Sequence, residues 1–196
     1  MQATPTHIDG LLVLEPKVFG DERGFVFESF NERSFQTALR AIASKACTSA
    51  DISAIRFVQD NHSKSSKGVL RGLHYQATPH AQGKLVRVVQ GEVWDVSVDI
   101  RPNSPTRGQS FGVLLTAENK RQLWIPKGFA HGFVTLSETA EFLYKTTDFY
   151  SPEHERCIAW DDPVLAVDWQ LERLGGMQPQ LSAKDKLGLA WKTIEP

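Results

Sequence analysis

A series of short, closely spaced strands in the middle of the chain constrains the fold most strongly. In residues 94–100 every second side chain is apolar and the others are aspartate or serine, a period of two that is typical of a half-buried strand. The preceding run, KLVRVV at 84–89, predicts another strand, and Gln90 and Gly91 after it predict a hairpin turn. Further strands are predicted at residues 111–116, 121–125, 129–136 and 141–150. This pattern favours an all-β sandwich or barrel, with a jelly roll as the leading form.

Helix is predicted in few places. Apolar residues recur at helical spacing within residues 32–47, and Asn31 or Ser34 is available to cap this helix. The segment 48–54 is small and polar and predicts a surface loop. Residues 181–185 predict a loop that runs into a short helical turn, whereas 171–180 contain glycine and proline and follow no recognisable period.

Composition limits the kind of protein. A length of 196 residues, 41% of them hydrophobic, predicts one domain over residues 1–196, with a peripheral extension from about residue 170. A net charge of −1 argues against nucleic-acid binding, so any bound anion must meet a local group of Arg and Lys. Cys47 and Cys157 lie in no CxxC or Cys/His array, which argues against a disulfide scaffold or structural zinc. Without a leader-like segment or an apolar run of about 18 residues, we expect no membrane association and a cytoplasmic location.

Two motifs resemble those of the cupin superfamily, whose fold is a jelly-roll β-barrel. Gly68 and His74 match the start of the first motif, but Gln76 stands where a second metal-binding histidine is expected, and no glutamate follows. The second motif, Pro-x-Gly-x-x-His, ends at His131. Two histidines without a carboxylate make a poor site for a divalent metal. We therefore expect a cupin-type jelly-roll barrel with a few short helices and no bound metal.

Five further segments occur in a fixed order along nearly the whole chain. They are FGDERG at 19–24 with Glu28, QDNHS at 59–63, LRGLH at 70–74, QGKLVR at 82–87, and a run from residue 118 that contains WIP, GFAHGF and FLYK. In this order and spacing they resemble the dTDP-4-dehydrorhamnose 3,5-epimerase family, from about residue 8 to Asp185. The stretches 40–55 and 169–181 are longer than this family leads us to expect, but neither removes a motif residue.

The resemblance implies an epimerase that converts dTDP-4-dehydro-6-deoxy-D-glucose to dTDP-4-dehydro-L-rhamnose in dTDP-L-rhamnose biosynthesis. The C4 ketone acidifies the hydrogens at C3 and C5, because removal of either leaves an enolate on the C4 oxygen. Inversion needs a base, an acid on the opposite face and a group that holds the oxyanion, but no cofactor. The family pattern implies that His74 is the base, Tyr144 the acid and Lys84 the oxyanion group, with Asp185 orienting His74.

Two of these residues also have structural interpretations. Ser182 and Asp185 have the spacing of a helix capping box. Tyr144 shares a strand face with Phe142, as an aromatic residue lining the barrel would.

A geometric question concerns the motif that contains the base. Arg71 and His74 are three residues apart, so strict alternation along a strand places them on opposite faces. A bulge at Gly72 would allow both to reach one pocket.

The resemblance also implies residues that bind the nucleotide sugar and a homodimer with shared active sites. Arginines and lysines suit a diphosphate because they form charge-assisted hydrogen bonds to its oxygens. The implied substrate-binding residues are Arg23, Glu28, Gln59, Asn61, Arg71, Lys84, His131, Glu155 and Lys184. In the family, the segment with Arg23 and Glu28 reaches the neighbouring subunit's site.

Three alternatives remain open at this point. The chain could invert C5 only, it could isomerise the keto group of a dTDP-4-keto sugar, or it could bind a sugar nucleotide without catalysis. The joint presence of His74, Tyr144, Lys84 and Asp185 argues against a binding module.

Overall fold

The computed structural model describes residues 1–42 and 49–194, and its regular elements are mostly strands. The strands are β1 (Gln2–Pro5), β2 (Leu12–Glu15), β3 (Phe19–Asp21), β4 (Gly24–Val26), β5 (Gln59–Ser66), β6 (Leu70–Gln76), β7 (Lys84–Gln90), β8 (Glu92–Asp99), β9 (Ser110–Thr116), β10 (Gln122–Ile125), β11 (Phe129–Thr135), β12 (Thr139–Thr146) and β13 (Glu155–Cys157). The helices are α1 (Glu32–Ala41) and α2 (Ser49–Ala54), and short 3-10 turns span Leu171–Leu174, Asp185–Leu187 and Trp191–Thr193. None of the helices in these residues is long and apolar enough to cross a bilayer.

Two antiparallel sheets form the body of the protein. The six-stranded sheet has the order β1-β2-β10-β7-β12-β5 and the five-stranded sheet the order β13-β6-β11-β8-β9, while β3 and β4 form a separate hairpin. Most neighbours in each sheet are distant in sequence, as expected for a jelly roll. The predicted all-β, cupin-type fold is confirmed.

Apolar side chains from both sheets meet in the interior. Val86 and Phe142 come from the six-stranded sheet, and Leu115 and Phe133 from the five-stranded sheet. The rings of Phe133 and Phe142 stack with 4.5 Å between their centroids. Both rings also line a cavity between the two sheets, so this contact joins the sheets directly beside that cavity.

The outer faces of the sheets are covered by different segments. Helices α1 and α2 pack on the six-stranded sheet, where Phe35, Leu39 and Ile52 contact Trp124 and its neighbours. The five-stranded sheet is covered by the chain after β13, which contributes Trp169, Leu174 and Ile194 to a second buried cluster. The segment predicted as an extension from about residue 170 thus lies on this outer face.

The helix predictions were partly correct. Helix α1 begins after Asn31, whose side chain accepts a hydrogen bond from the Ser34 amide at 3.1 Å, so the predicted cap is confirmed. It ends at Ala41, and residues 43–47 of the predicted helix lie outside the described residues. The predicted loop at 48–54 was wrong from residue 49 onward, because Ser49–Ala54 is helical and Ile52 is fully buried.

The predicted hairpin between β7 and β8 was also wrong. The chain does turn at Gly91, where φ is +72°, but β7 and β8 belong to opposite sheets and do not pair. A Cβ at Gly91 would lie 2.0 Å from the carbonyl oxygen of Thr139, so this crossover requires glycine.

Strand β8 is buried on both faces, whereas the alternation predicted a half-buried strand. Its apolar residues Val96 and Val98 face the C-terminal covering segment. On the polar face Asp95, Ser97 and Asp99 are all 0% exposed. The polar stripe of this strand is therefore an interior feature.

Candidate active site

The candidate site is a cavity of about 330 Å³ between the two sheets, a volume within the range of small-molecule sites. His74 on β6, His131 on β11 and Glu155 on β13 line it from the five-stranded sheet, and Lys84 on β7 and Tyr144 on β12 line it from the six-stranded sheet. The cavity also includes Arg71, Ser182, Lys184 and Asp185. Eight of the twelve predicted site residues therefore line one cavity.

His74 and Asp185 form a hydrogen-bonded pair. The His74 Nε2 donates to Asp185 Oδ1 at 2.7 Å, and the Gly72 amide donates to the same oxygen at 3.0 Å. Because an ionised carboxylate can only accept, this contact places the ring proton on Nε2 and leaves the lone pair on Nδ1. Nδ1 is therefore the nitrogen available to take up a proton.

Ser182 completes the surroundings of Asp185. Its hydroxyl donates to Asp185 Oδ2 at 2.6 Å and accepts from the Asp185 amide at 3.2 Å. Burial alone raises the pKa of the Asp185 carboxyl, but hydrogen bonds from His74, Ser182 and Gly72 outweigh it, and the pKa lies far below its usual range. Asp185 thus makes the reciprocal hydrogen bonds of a capping box with Ser182 as well as the hydrogen bond to His74, and its catalytic role remains a prediction.

A bulge in β6 brings Arg71 and His74 to the same cavity. His131 of β11 pairs with His74, whereas Phe133, two residues later, pairs with Arg71, three residues earlier. The extra residue on β6 shifts the side-chain alternation between them. Gly72 has a φ of +129°, and a Cβ there would lie 2.5 Å from the Gly132 Cα. The bulge expected at Gly72 is present.

Glu155 lies between His74 and a cationic group. Its Oε2 accepts a hydrogen bond from the Tyr150 hydroxyl at 2.6 Å and forms a close ion pair with Lys184, while Oε1 is 3.6 Å from His74 Nδ1. Burial raises the pKa of Glu155, but the bonds from Lys184 and Tyr150 outweigh it and hold the pKa below its ordinary value. The carboxylate is therefore ionised at neutral pH.

The opposite wall carries Lys84 and Tyr144. Neither the Lys84 ammonium nor the Tyr144 hydroxyl has a hydrogen bond or ion pair to another side chain of the described residues. Burial lowers the pKa of Lys84 to about 8, against the opposing effect of Asp95 and Glu155. Burial also raises the pKa of the Tyr144 phenol, so this group remains protonated well above neutral pH. This wall thus offers a free ammonium and a free phenol.

Asp95 is a site residue that the sequence interpretation missed. The buried His131 Nε2 donates to both carboxylate oxygens of Asp95, at 3.0 and 2.9 Å. Aspartate is disfavoured in strands, so the two aspartates of β8 were a signal that at least one has a buried partner. The interpretation also missed Tyr150, which lines the cavity and bonds Glu155.

Within the described residues, His74, Cys157 and Asp185 form a group whose potential metal-ligand atoms lie within 4.8 Å of one another. Both Asp185 oxygens already accept hydrogen bonds, and burial, with the nearby Asp185 charge, raises the pKa of the Cys157 thiol to about 11. The Gln76 amide donates to the carbonyl oxygens of His80 and Phe149. These contacts fit a histidine–carboxylate dyad better than a metal centre.

Four predicted binding residues do not line the cavity. Arg23 lies on the β3–β4 hairpin and pairs with Asp21 at 2.5 Å, and its side chain is 85% exposed. Glu28 is exposed and accepts a hydrogen bond from Asn31. Gln59 bonds the Asn61 side chain and accepts from the Tyr150 amide, so these two residues act on the loop beside the cavity.

A sequence model of the dTDP-4-dehydrorhamnose 3,5-epimerase family matches residues 5–193. This chain belongs to that family. The dTDP-4-dehydrorhamnose 3,5-epimerase of Pseudomonas aeruginosa is 58% identical over 191 residues, which are 97% of this chain and 96% of that protein. The one of Salmonella typhimurium is 59% identical over 180 residues, 92% of this chain and 90% of that protein.

Solved structures give the same result. The crystal structure of the dTDP-6-deoxy-D-glucose-3,5-epimerase from Legionella pneumophila, in complex with dTDP-4-keto-L-rhamnose, has a TM-score of 0.87 to this chain at 52% identity. The match covers 99% of this chain and 94% of that chain. The family and the 3,5-epimerase activity predicted from the motifs are confirmed.

Proposed function

We propose that this epimerase binds dTDP-4-dehydro-6-deoxy-D-glucose in the cavity and inverts C3 and C5 to give dTDP-4-dehydro-L-rhamnose. The observation that carries the proposal is the placement of His74 and Tyr144 on opposite sheets, both lining the same cavity. A sugar ring held between them has a base on one face and an acid on the other. This is the arrangement that inversion of a carbon centre requires.

In the proposed mechanism His74 removes the proton from C3 or C5. The proton goes to Nδ1, and the electron pair passes through the C4 carbonyl to its oxygen, which gives an enolate. Asp185, bonded to Nε2 at 2.7 Å, stabilises the imidazolium that forms. The Lys84 ammonium holds the enolate oxygen, and Tyr144 then donates a proton to the carbon from the opposite face.

The remaining cations of the cavity would hold the nucleotide diphosphate. Arg71 donates from Nε to the Ser65 hydroxyl at 3.1 Å and from Nη2 to the Lys64 carbonyl at 3.4 Å, and these contacts orient its guanidinium without neutralising it. Lys184 lies at the same cavity, and Glu155 and His131 would contact the ligand from the five-stranded sheet. The chain's net charge of −1 makes this local group necessary.

The proposal includes a homodimer in which Arg23 and Glu28 contribute to the partner's site. The β3–β4 hairpin supports it, because Phe19, Phe25 and Val26 are 55%, 60% and 69% exposed there, and exposed apolar groups mark interaction surfaces. Mixing inactive His74→Ala and Arg23→Ala proteins should restore activity through hybrid dimers that hold one intact site. Failure to recover activity although hybrids form would contradict shared sites. A single domain over residues 1–196 and a cytoplasmic location remain predictions.

The proposed chemistry needs no metal or redox cofactor, since the enolate charge is met by Lys84. We expect turnover to survive exhaustive treatment with EDTA and without added NAD. Loss of turnover that one divalent metal restores would contradict this part of the proposal.

The test of the reaction is NMR of the purified protein with the substrate in D2O. Deuterium at both C3 and C5, together with the L-rhamno product, is expected. Exchange at C5 alone would establish the single-inversion alternative, and migration of the keto group would establish an isomerase. Binding of dTDP without any exchange would indicate a non-catalytic binding protein.

A further inference from the structure

Glu155 connects the base to a cation at the cavity. One of its oxygens, Oε2, is bound by Lys184 and by the Tyr150 hydroxyl. The other, Oε1, is 3.6 Å from His74 Nδ1, which is too long for a hydrogen bond but within the distance of an ion pair. Within the described residues Nδ1 is buried and has no hydrogen-bond partner. The nitrogen that accepts the proton thus faces a carboxylate whose charge Lys184 neutralises.

The two carboxylates near His74 differ in whether a bound ligand could remove their hydrogen-bond or ion-pair partners. Asp185 is tied to Gly72, Ser182 and His74 and stays where it is. Lys184 is exposed on one side and has only Glu155 as its ion-pair partner within residues 1–42 and 49–194. A diphosphate in this cavity would compete with Glu155 for Lys184, because both are anions and a phosphate oxygen accepts the same ammonium hydrogens.

We propose that Glu155 couples diphosphate binding to the strength of His74 as a base. When the diphosphate takes Lys184, the Glu155 carboxylate, still held by Tyr150, is left facing Nδ1. The proton that leaves C3 or C5 then forms an imidazolium between two carboxylates, and the electron pair goes to the enolate oxygen. Glu155 is thus a positioning residue, and the inference rests on the proposed function because a dTDP sugar supplies the diphosphate.

Several other charged or titratable groups border the cavity and must be separated from Glu155. They are Lys184, Asp185 at the start of the 3-10 turn Asp185–Leu187, Tyr150 in the loop before β13, Arg71 and Tyr75 on β6, Lys84 on β7, His131 on β11 with Asp95 behind it, Tyr144 on β12, and Cys157 on β13, which lies beside His74 and Asp185. The negative charge of a bound diphosphate would also act on the His74 imidazole directly. The experiment therefore compares variants that differ in one carboxylate or one cation.

The experiment follows the titration of the His74 imidazole by NMR of histidine-labelled full-length protein, with and without saturating dTDP. The chain has six histidines, so the His74→Gln protein assigns the signal. We expect dTDP to move the His74 titration midpoint upward by about one pH unit, the size typical of a charge uncovered within 4–6 Å. In Glu155→Gln, an isosteric change, this movement should fall to less than about a third.

The free protein gives a second, ligand-independent test. Lys184→Ala should raise the His74 midpoint without dTDP, because Glu155 then lacks its partner, and dTDP should add little more. Arg71→Ala, which removes a cation that is not paired with Glu155, is the matched control and should leave the free-protein midpoint in place. The effect of Lys184→Ala should disappear in the Glu155→Gln background.

If dTDP shifted the His74 titration midpoint equally in wild type and Glu155→Gln, the coupling would be overturned. The charge of the diphosphate would then act on His74 directly and not through Glu155. Persistence of the Lys184→Ala effect without Glu155 would do the same. Neither result depends on turnover. Absence of deuterium exchange in wild-type protein would instead refute the proposed function, and the two failures are distinguishable.

Discussion

The two walls of the cavity differ in how completely their side chains are already bonded. On the five-stranded side, His74, Asp185 and Ser182 form a continuous hydrogen-bonded group, and His131 is bound by Asp95. On the six-stranded side, Lys84 and Tyr144 have no side-chain partner among the described residues. One wall is organised before a ligand arrives, whereas the other has unused hydrogen-bonding groups.

This difference matches the demands of the two steps of the proposed reaction, which are removal of the proton from carbon and its return from the opposite face. A base must have the correct tautomer and orientation before it meets the carbon-bound hydrogen, because that hydrogen forms no strong hydrogen bond that could position the base. The acid and the oxyanion group act on charge that develops only during the reaction, so a ground-state partner would compete with the enolate. The comparison therefore predicts different failures when each wall is mutated.

The largest effect is expected for His74→Ala. Removal of the base prevents formation of the enolate, so both turnover and deuterium exchange should fall by about 10²–10⁴-fold. NMR in D2O measures both quantities in one sample. Affinity for dTDP, measured by calorimetry, should remain, since the diphosphate cations are other residues. Exchange at the wild-type rate would mean that another residue is the base.

A smaller and more selective effect is expected for Tyr144→Phe. The ring and its contact with Phe142 remain, and His74 can still remove the proton. Reprotonation from the opposite face is impaired, so product formation should fall by about 10²–10³-fold while exchange falls less. The ratio of deuterium incorporation to product formation is the measurement. Equal losses of both would show that Tyr144 does more than donate the final proton.

The pH dependence of kcat/KM should show which of the two groups on the six-stranded side, Lys84 or Tyr144, loses its proton first. Lys84 has a pKa of about 8, and a lysine is charged below its pKa and neutral above it. We therefore expect kcat/KM to fall above pH 8 by about tenfold per pH unit. Tyr144, whose pKa is raised by burial, would titrate at higher pH.

Lys84→Arg tests this assignment, because a guanidinium stays charged throughout this range. In the variant the decline above pH 8 should disappear, even if the activity at neutral pH is lower. A decline that remains near pH 8 would assign it to another group.

The sequence predicted the strands of the fold better than their arrangement. Alternation located β8 because the period of two reflects local backbone geometry, but it could not show that Asp95 and Asp99 face a closed interior. The step at Gly91 had hairpin composition, and only long-range pairing places β7 and β8 in different sheets. Helix α2 escaped prediction because six residues with a single buried apolar residue, Ile52, carry no period.

For the site, too, the sequence predicted what local motifs carry and missed what depends on long-range strand pairing. Residues within the family's contiguous motifs, such as His74, Lys84 and Tyr144, were found at the cavity. Asp95 was missed because its partner His131 is 36 residues away, and β8–β11 pairing alone brings them together. Arg23 and Glu28 lie away from this chain's cavity, so their proposed role depends on a second subunit.

The smallest loss of kcat is expected for Ser182→Ala, which changes the outermost member of the His74–Asp185–Ser182 hydrogen-bonded group. The variant removes the hydroxyl that donates to Asp185 Oδ2, while His74 and the Gly72 amide still hold Oδ1. Loss of one such bond to an ionised carboxylate is worth about 1.5–3 kcal/mol, or roughly a 10- to 150-fold fall in kcat if it is expressed fully in the transition state.

Ser104→Ala is the matched control, because Ser104 donates to a buried aspartate, Asp99, at 2.5 Å, and neither residue lines the cavity. Urea unfolding should show similar stability losses for both variants, since the same kind of bond is removed. Only Ser182→Ala should also lower kcat, because only Asp185 is bonded to the proposed base, His74. If both variants kept the wild-type kcat, Asp185 would not need Ser182 to orient His74, and the preorganisation of this wall would rest on Gly72 and the backbone alone.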